Sequence, residues 1–458
     1  MHTQFGESPP VAGPRPRVVL VVGKDPLAWN RGGALNYARS HALAAQRAGY
    51  EVHLFCLAVR NEEILTDFGI VHRVKGPRNP PGRSLEGRPE TALSAFVHWA
   101  RTLGYREVGV GIHASAIVSA VVEFVAACRE RCLLHGFSTW GVIALEAQRQ
   151  LKRRGIGVPV VNNLYTTLRH EQQGKTRGLQ SMPIGLAHFQ LLLERFLVRV
   201  WTRRLEQRVI CKSPVLVVNY TAVRRLLEAE YGALPQLVTM PYCEAGGFSE
   251  PPQPRQTSKF ATASEIPRLV TLSRHDPRKG LDVFIKALAV LNGKGVAFRA
   301  TIGSSGDLLE YHRGLVRSLE LEQIVTFSGW VDDPAPLLAN SDIFVLPSLE
   351  EGSGSIALLE AMRNRLAVVA SDLDGIPEVI TSEVDGILVP PGDSRLLAEA
   401  LERVIHDPLF RARLANAATA RHASRANPEV FTEALRSLYD HILASCPGAP
   451  EERPAPGR

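Results

Sequence analysis

Short runs of β-branched and other apolar residues recur along the chain, each followed by glycine or polar positions and then by an apolar stripe at helical spacing. Val18 to Val22 opens the series, Gly23 to Gly33 follows, and the helical pattern of Ala34 to Ala48 leads into the run Glu51 to Leu57. Further strands are predicted at Leu133 to His135, Val158 to Asn162, Val215 to Asn219 and Gln236 to Met240. The polar, proline-containing stretch 246–265 interrupts the pattern. It restarts at Arg268 to Ser273 and repeats at Arg299 to Ile302, Ile324 to Phe327, Asp342 to Pro347 and Ala367 to Ala370. Apolar strands alternating with helices predict parallel sheets covered on both faces, hence an α/β fold in two halves.

The expected boundaries are a disordered N-terminus over 1–16, a first domain over 17–245, a linker over 246–265, a second domain over 266–427 and a disordered Pro/Gly-rich tail over 447–458. Within the first domain, 76–90 reads as a loop, Thr91 to Leu103 as a helix, Glu171 to Gln180 as a mobile polar loop and Leu186 to Val209 as one long helix. A length of 458 residues, 45% of them hydrophobic, provides ample core for two domains.

The 53 Lys and Arg against 46 Asp and Glu leave +7, but the cations are spread along the chain and form no block of the kind that binds nucleic acid. This balance suits a small anionic ligand or contact with a membrane surface. No apolar leader and no uninterrupted apolar run of about 18 residues are visible, so neither a signal peptide nor a membrane span is expected. The six cysteines are scattered; Cys128 and Cys132 have helical spacing but no companion ligands, which predicts reduced structural thiols in a cytoplasmic protein. Neither G-x-G-x-x-G nor G-x-x-x-x-G-K-[ST] occurs, which argues against a dinucleotide fingerprint and a P-loop.

The richest chemistry lies in Ser348 to Met362, spelled Ser-Leu-Glu-Glu-Gly-Ser-Gly-Ser-Ile-Ala-Leu-Leu-Glu-Ala-Met directly after a strand. A strand, a tight loop and a helix start present free N–H groups to an anion. Carboxylates at Glu351 and Glu360 would repel that anion and suit uncharged hydroxyls, so the ligand is expected to be part phosphate, part sugar. Arg274 and Lys279, on another strand-to-helix turn, can converge on a diphosphate. Gly303 and Gly329 close strands where the backbone must turn tightly, and Gly32-Gly33 makes either a simple turn or a close approach to phosphate. His135, Asn163 and Thr166 fall near the carboxyl ends of parallel strands, where open α/β sheets bind ligands. His41, His98 and His188 read as surface or satisfied core. Arg195, Arg199 and Arg203 recur beside an apolar face, as in a solvated basic stripe or a membrane-contacting amphipathic helix.

The ordered set Arg274…Lys279-Gly280, Gly303-Ser304-Ser305-Gly306, Phe327-Ser328-Gly329, Glu351-Gly352…Leu359-Glu360-Ala361-Met362, Asp374-Gly375-Ile376-Pro377-Glu378 and Asp385-Gly386 resembles the retaining GT-B glycosyltransferases of family GT4. The match is dense over about 266–425 and thinner, through Gly32-Gly33, His135-Gly136 and Glu206, before it. The resemblance implies two facing Rossmann-like domains around a central cleft, with a C-terminal helix at about 428–446 rejoining the first. It implies transfer of a sugar from a nucleotide-diphosphate-sugar donor to a carbohydrate, lipid-linked or small-molecule acceptor, with no metal or other cofactor. Arg274 and Lys279 would hold the diphosphate, Glu351 the donor-sugar hydroxyls and Glu360 the ribose. Gly32, Gly33, Gly303, Gly329 and the helix start Gly354-Ser355-Ile356 would line the donor site, His135 would lie near the transferred sugar, and Asn163 and Thr166 would face the acceptor. Asp372-Leu373-Asp374 is expected to be loop structure and not a metal-ligand pair.

Three positions depart from the family pattern. Eight residues separate Glu351 from Glu360 where the family has seven, so Glu350 and Glu351 both remain candidates for the sugar. Pro241-Tyr242-Cys243-Glu244 stands where the family has Asn-Gly-Val-Asp, and Thr166 where it commonly has His. Two other readings fit the same motifs: a phosphorylase using inorganic phosphate, in which a ribose-binding Glu360 would have no task, and a non-catalytic sugar-nucleotide-binding or membrane-docking module.

Overall fold

The computed structural model describes residues 15–23, 25–27, 33–76, 109–180, 185–197, 203–234, 236–249 and 266–446. Gly32, the loop 77–90, the helix expected over Thr91 to Leu103, most of the 246–265 linker, Arg199 and the 447–458 tail lie outside these residues, as does 1–14 of the N-terminus.

The first sheet contains β1 (Arg17–Val21), β2 (Glu51–Ala58), β3 (Glu62–Thr66), β4 (Gly69–Lys75), β5 (Cys132–Phe137), β6 (Val160–Asn163), β7 (Val215–Val218) and β8 (Leu237–Thr239). Its order is β3-β4-β2-β1-β5-β6-β7-β8, parallel except for the β3–β4 hairpin. Helices α1 (Gly33–Arg47), α2 (Gly109–Ala127), α3 (Gly141–Arg153), α4 (Leu168–Gln180), α5 (Leu186–Leu197), α6 (Arg203–Lys212) and α7 (Thr221–Tyr231) belong to this half.

The second sheet contains β9 (Arg268–Leu272), β10 (Arg299–Gly303), β11 (Val325–Gly329), β12 (Ile343–Leu346), β13 (Ala367–Ser371) and β14 (Ile387–Val389), in the order β11-β10-β9-β12-β13-β14 and parallel throughout. Around it lie α8 (Leu281–Gly293), α9 (Leu309–Ser318), α10 (Ala335–Ala339), α11 (Ile356–Arg363), α12 (Ile376–Val379), α13 (Ser394–His406) and α14 (Pro408–Arg425). Every residue of β5, β12 and β13 is buried, which is why these strands read as continuous apolar runs and not as alternating ones.

Strand order reverses between β1 and β5 in one sheet and between β9 and β12 in the other. Loops leaving the carboxyl ends at such reversals splay apart and leave a crevice. The last helix, α15 (Pro428–Ser445), returns to the first half: Tyr50 Oη donates to Asp440 Oδ1 at 2.5 Å, and the Tyr50 and Tyr439 rings meet edge-on at 5.4 Å. The halves also share a helix cap. No side chain of its own caps α7, and Glu378 of α12 accepts from Thr221 N at 2.9 Å and Ala222 N at 2.7 Å, satisfying donors that the helix cannot.

One expectation is corrected. Residues 171–180 are not a loop but most of α4, whose Gly174 and Gly178 let its backbone lie directly against the second half; a Cβ added at Gly178 would sit 1.8 Å from the Pro277 carbonyl oxygen. Tertiary contact thus overrides the poor helix propensity of glycine. Of Leu186 to Val209, Leu186–Leu197 is helical as α5 and the part from Arg203 on as α6, while 198–202 lie outside the described residues. Cys128 follows α2 while Cys132 opens β5, and all six cysteines are free thiols.

Candidate active site

At the second reversal, the loop after β9 forms a single turn over Pro277–Lys279, capped by Asp276, which accepts from Arg278 N at 3.2 Å. Gly280 follows with φ 60, and a Cβ there would lie 2.0 Å from the Pro347 carbonyl oxygen, so only glycine permits this approach. The Arg278 carbonyl accepts from Leu349 N at 2.7 Å and Glu350 N at 3.2 Å, joining the two loops that flank the reversal.

Side chains from the two loops then pair. Lys279 Nζ donates to Glu351 Oε1 at 2.6 Å, and Ser348 Oγ donates to the same oxygen at 2.5 Å. Arg278 donates to Glu350 Oε2 at 2.7 Å and lies 3.4 Å from Glu171 of α4. Glu350 is 1% exposed and accepts from Thr166 Oγ1 at 3.3 Å across the cleft. The structure therefore separates the adjacent acids: Glu350 is buried in contacts between the halves, and Glu351 stands with the cation Lys279. Arg274 is exposed at the start of the same loop.

The extra residue between Glu351 and Glu360 is absorbed where Gly352 (φ 57) and Gly354 (φ 80) flank Ser353, in left-handed conformations open to glycine. Ser353 Oγ meets Tyr37 Oη at 3.2 Å, and Gly354 packs against the Tyr220 ring. Ser355 caps α11, which starts at Ile356, by accepting from Leu358 N. One turn on, the half-buried Glu360 carboxyl is pushed up to about 8 by burial and by Glu244 and Asp333, against the pull of Arg363. Glu244, the acid that closes the Pro-Tyr-Cys-Glu stretch, lies fully buried against His422 Nε2 at 3.1 Å and adds to the upward push on Glu360. Gly303 and Gly329 end the neighbouring strands β10 and β11, joined by Ser304 N donating to Gly329 O at 2.6 Å.

The first reversal differs. Gly33 begins α1 directly beyond β1. His135 is wholly buried: Tyr439 Oη lies 2.6 Å from its Nδ1 and Asn163 Oδ1 2.7 Å from its Nε2. Burial, reinforced by His41, holds its pKa well below the usual value against the Asn163 hydrogen bond. Asn163 is also fully buried, its Nδ2 3.3 Å from His41 Nε2. The residues expected near the sugar and the acceptor, His135 and Asn163, are thus both enclosed here, since β5 continues to Phe137 and β6 to Asn163. Thr166 lies beyond β6 and reaches the cleft.

Sequence reasoning missed His170, Arg278 and the partners of Asp374. Asp374 Oδ2 accepts from Glu351 N at 2.8 Å and Gly352 N at 2.9 Å, while its Oδ1 lies 2.9 Å from His170 Nε2 of α4. The signal was present in the Asp374-Gly-Ile-Pro-Glu378 motif, whose two acids both reach the first half. Donor atoms of His170, Glu350 and Asp374 lie within 4.8 Å of one another. Arg278 pairs with Glu350 there, and His170 Nε2 meets Asp374, so the three side chains take part in an ion-paired cluster.

Two Rossmann-like halves facing across paired strand reversals, one carrying a cation–carboxylate pair beside a helix start, define the GT-B class. Residues 266–407 match the family model described as Glycosyl transferases group 1. The amylovoran biosynthesis glycosyltransferase AmsK of Erwinia amylovora is 32% identical over 182 residues, 38% of this chain and 45% of that protein. The chain spans about half the length of the curated relatives it matches first. The D-inositol 3-phosphate glycosyltransferase of Saccharomonospora viridis aligns over 95% of this chain and 96% of its own length at 26% identity. Among solved structures, sucrose-phosphate synthase from Thermosynechococcus elongatus superposes with TM-score 0.66 at 18% identity, covering 94% of this chain and 100% of that one. Anabaena HepE in complex with UDP-glucose superposes with TM-score 0.62 at 16% identity over 93% and 99%. These likenesses establish the shared fold. No helix among the described residues is long and apolar enough to cross a membrane.

Proposed function

We propose that the chain transfers a sugar from a nucleotide-diphosphate-sugar donor to an acceptor hydroxyl, with retained anomeric configuration and without a metal ion. The observation that carries this reading is the Lys279–Glu351 pair beside the α11 start at the second strand reversal. A diphosphate there would take Lys279 together with Arg274 and the free N–H groups, releasing Glu351 to accept from sugar hydroxyls. Ribose hydroxyls donating to Glu360 would replace the hydration that burial removes from it.

Cleavage of the sugar–phosphate bond develops positive charge at the anomeric carbon and negative charge on the departing diphosphate. Cations and helix N–H groups fixed in advance lower that barrier most. In a front-face route the acceptor oxygen bonds the anomeric carbon as the carbon–phosphate oxygen bond breaks, and the leaving phosphate oxygen takes the acceptor proton. Closure of the halves would keep water from the donor. The acceptor is a carbohydrate, lipid-linked or small-molecule hydroxyl compound. Phe189, Leu192 and Phe196 of α5 are 55%, 64% and 60% exposed next to exposed Arg195, which supports a cytoplasmic protein touching the inner face of a membrane.

A thermal-shift panel of nucleotide sugars, beginning with UDP-glucose, tests the reading. A donor at about a hundredfold its Kd stabilises the native state by about 2.7 kcal/mol, and added acceptor should then release nucleotide. Stabilisation by no nucleotide sugar, together with no nucleotide release, refutes it.

A further inference from the structure

We propose that His170 is a positioning residue: reaching from α4 of the first half, it holds the Asp374 carboxylate that in turn holds the Glu351–Gly352 backbone, tying the sugar-binding loop to closure of the two halves. The role in transfer rests on the glycosyltransferase reading; the closure role does not.

Four observations converge on it. Asp374 sits at φ 50, a left-handed conformation that a non-glycine residue adopts at a cost, and that conformation accompanies its hold on two backbone amides. The opposite carboxylate oxygen meets His170 at 2.9 Å, so a single side chain links the loop to the other half. The helix that carries His170 is anchored at its start, where Glu206 accepts from Leu168 N at 2.7 Å and Thr167 Oγ1 accepts from His170 N at 3.1 Å. Gly174 and Gly178 then bring α4 against Glu350 and Pro277 so closely that added Cβ atoms would lie 2.3 Å and 1.8 Å from them. A helix seated this tightly has little freedom to shift unless the halves separate.

Charged groups around His170 set the sign of its pH response. Asp374 faces it at 2.9 Å and Glu350 at 4.0 Å with Arg278 beyond, while Glu171 and Arg177 share its helix. Burial lowers the imidazole pKa, but Asp374 and Glu350 outweigh burial and Arg177, and the net direction is upward. The contribution of the His170–Asp374 contact to closure is thus complete below the ordinary histidine value and weakens as pH rises through the raised one. Neutral imidazole keeps only the weaker, uncharged hydrogen bond.

The experiment compares the full chain with His170→Ala and His170→Gln, the latter keeping an amide donor that does not titrate. Small-angle scattering without ligand gives the radius of gyration at about pH 6 and about pH 9, on either side of the usual histidine range. Nucleotide release from UDP-glucose gives kcat and KM at the same pH values. The wild type should expand toward alkaline pH, His170→Ala should be expanded at both, and His170→Gln should show at both the radius of the alkaline wild type, smaller than that of His170→Ala. In turnover, His170→Ala should lose about tenfold in kcat with little change in donor KM, and His170→Gln should keep the rate of the alkaline wild type at both pH values, without the alkaline decline. An unchanged radius of gyration in His170→Ala at both pH values overturns the closure role, whether or not UDP-glucose is turned over. Altered scattering with unchanged kcat overturns the positioning role. If the wild type releases nucleotide from no donor, the sugar-transfer reading falls while scattering still decides closure.

Discussion

The two strand reversals occupy the same place in their sheets and have opposite characters. Beyond β5 and β6, the polar side chains of His135 and Asn163 turn inward and saturate one another with Tyr439 and His41. Beyond β9 and β12, Lys279 and Glu351 hold each other at 2.6 Å, and Glu360 is half-buried one turn into α11. Location at a carboxyl end is therefore not enough to make a polar residue a ligand contact. What matters is whether the side chain leaves the strand before or after the sheet ends.

This contrast can be broken by substitution at either side. The largest effect is expected from Lys279→Ala, which should lower kcat/KM by about a hundredfold to a thousandfold in nucleotide-release assays while leaving the melting temperature near wild type. A loss below about tenfold would mean that the second reversal does not hold the leaving group. His135→Ala should do the reverse. Removing a buried imidazole leaves a cavity and orphans Tyr439 and Asn163, costing about 2–4 kcal/mol in denaturant unfolding with the rate per folded molecule unchanged. A catalytic defect without destabilisation would return His135 to the site.

Glu360→Gln sharpens the comparison more modestly: above about pH 8, where the wild-type carboxyl is ionised, nucleotide affinity should fall about tenfold by calorimetry as a charged acceptor becomes neutral. Its pH signature is more specific. The folded carboxyl lies above its ordinary 4.5 at about 8, so its stabilising contribution is present below about 4.5 and is lost as pH rises through about 8. Wild-type melting temperature should therefore decline relative to Glu360→Gln across that window. The smallest effect is expected from a chelator, which should change turnover by less than about twofold; a larger loss restored by a divalent cation would put metal chemistry into the site.

Much of the architecture was legible because its signals are local. Apolar runs followed by glycine and then helical stripes mark β1, β9, β12 and their loops, and Lys279, Glu351 and Glu360 could be singled out from their positions on those loops. Residues 168–180 were not legible as a helix, since their polar, glycine-containing pattern has no apolar stripe of its own and is ordered by contact with Pro277 and Glu350. Nor could Glu350 be told from Glu351, because adjacent residues differ only in which way the loop turns them.

By itself, then, the sequence determined the alternation of strands and helices, the two parallel sheets and the kinds of chemical group displayed at the second reversal, since periodicity and turn chemistry act over a few neighbouring residues. Tertiary structure alone decided that His135 and Asn163 are core, that Glu350 is buried against Arg278 while Glu351 meets Lys279, and that His170 reaches Asp374. Burial and ion pairing join residues from 72 to 304 positions apart in the chain, and no local pattern records which of two identical side chains the packing will enclose.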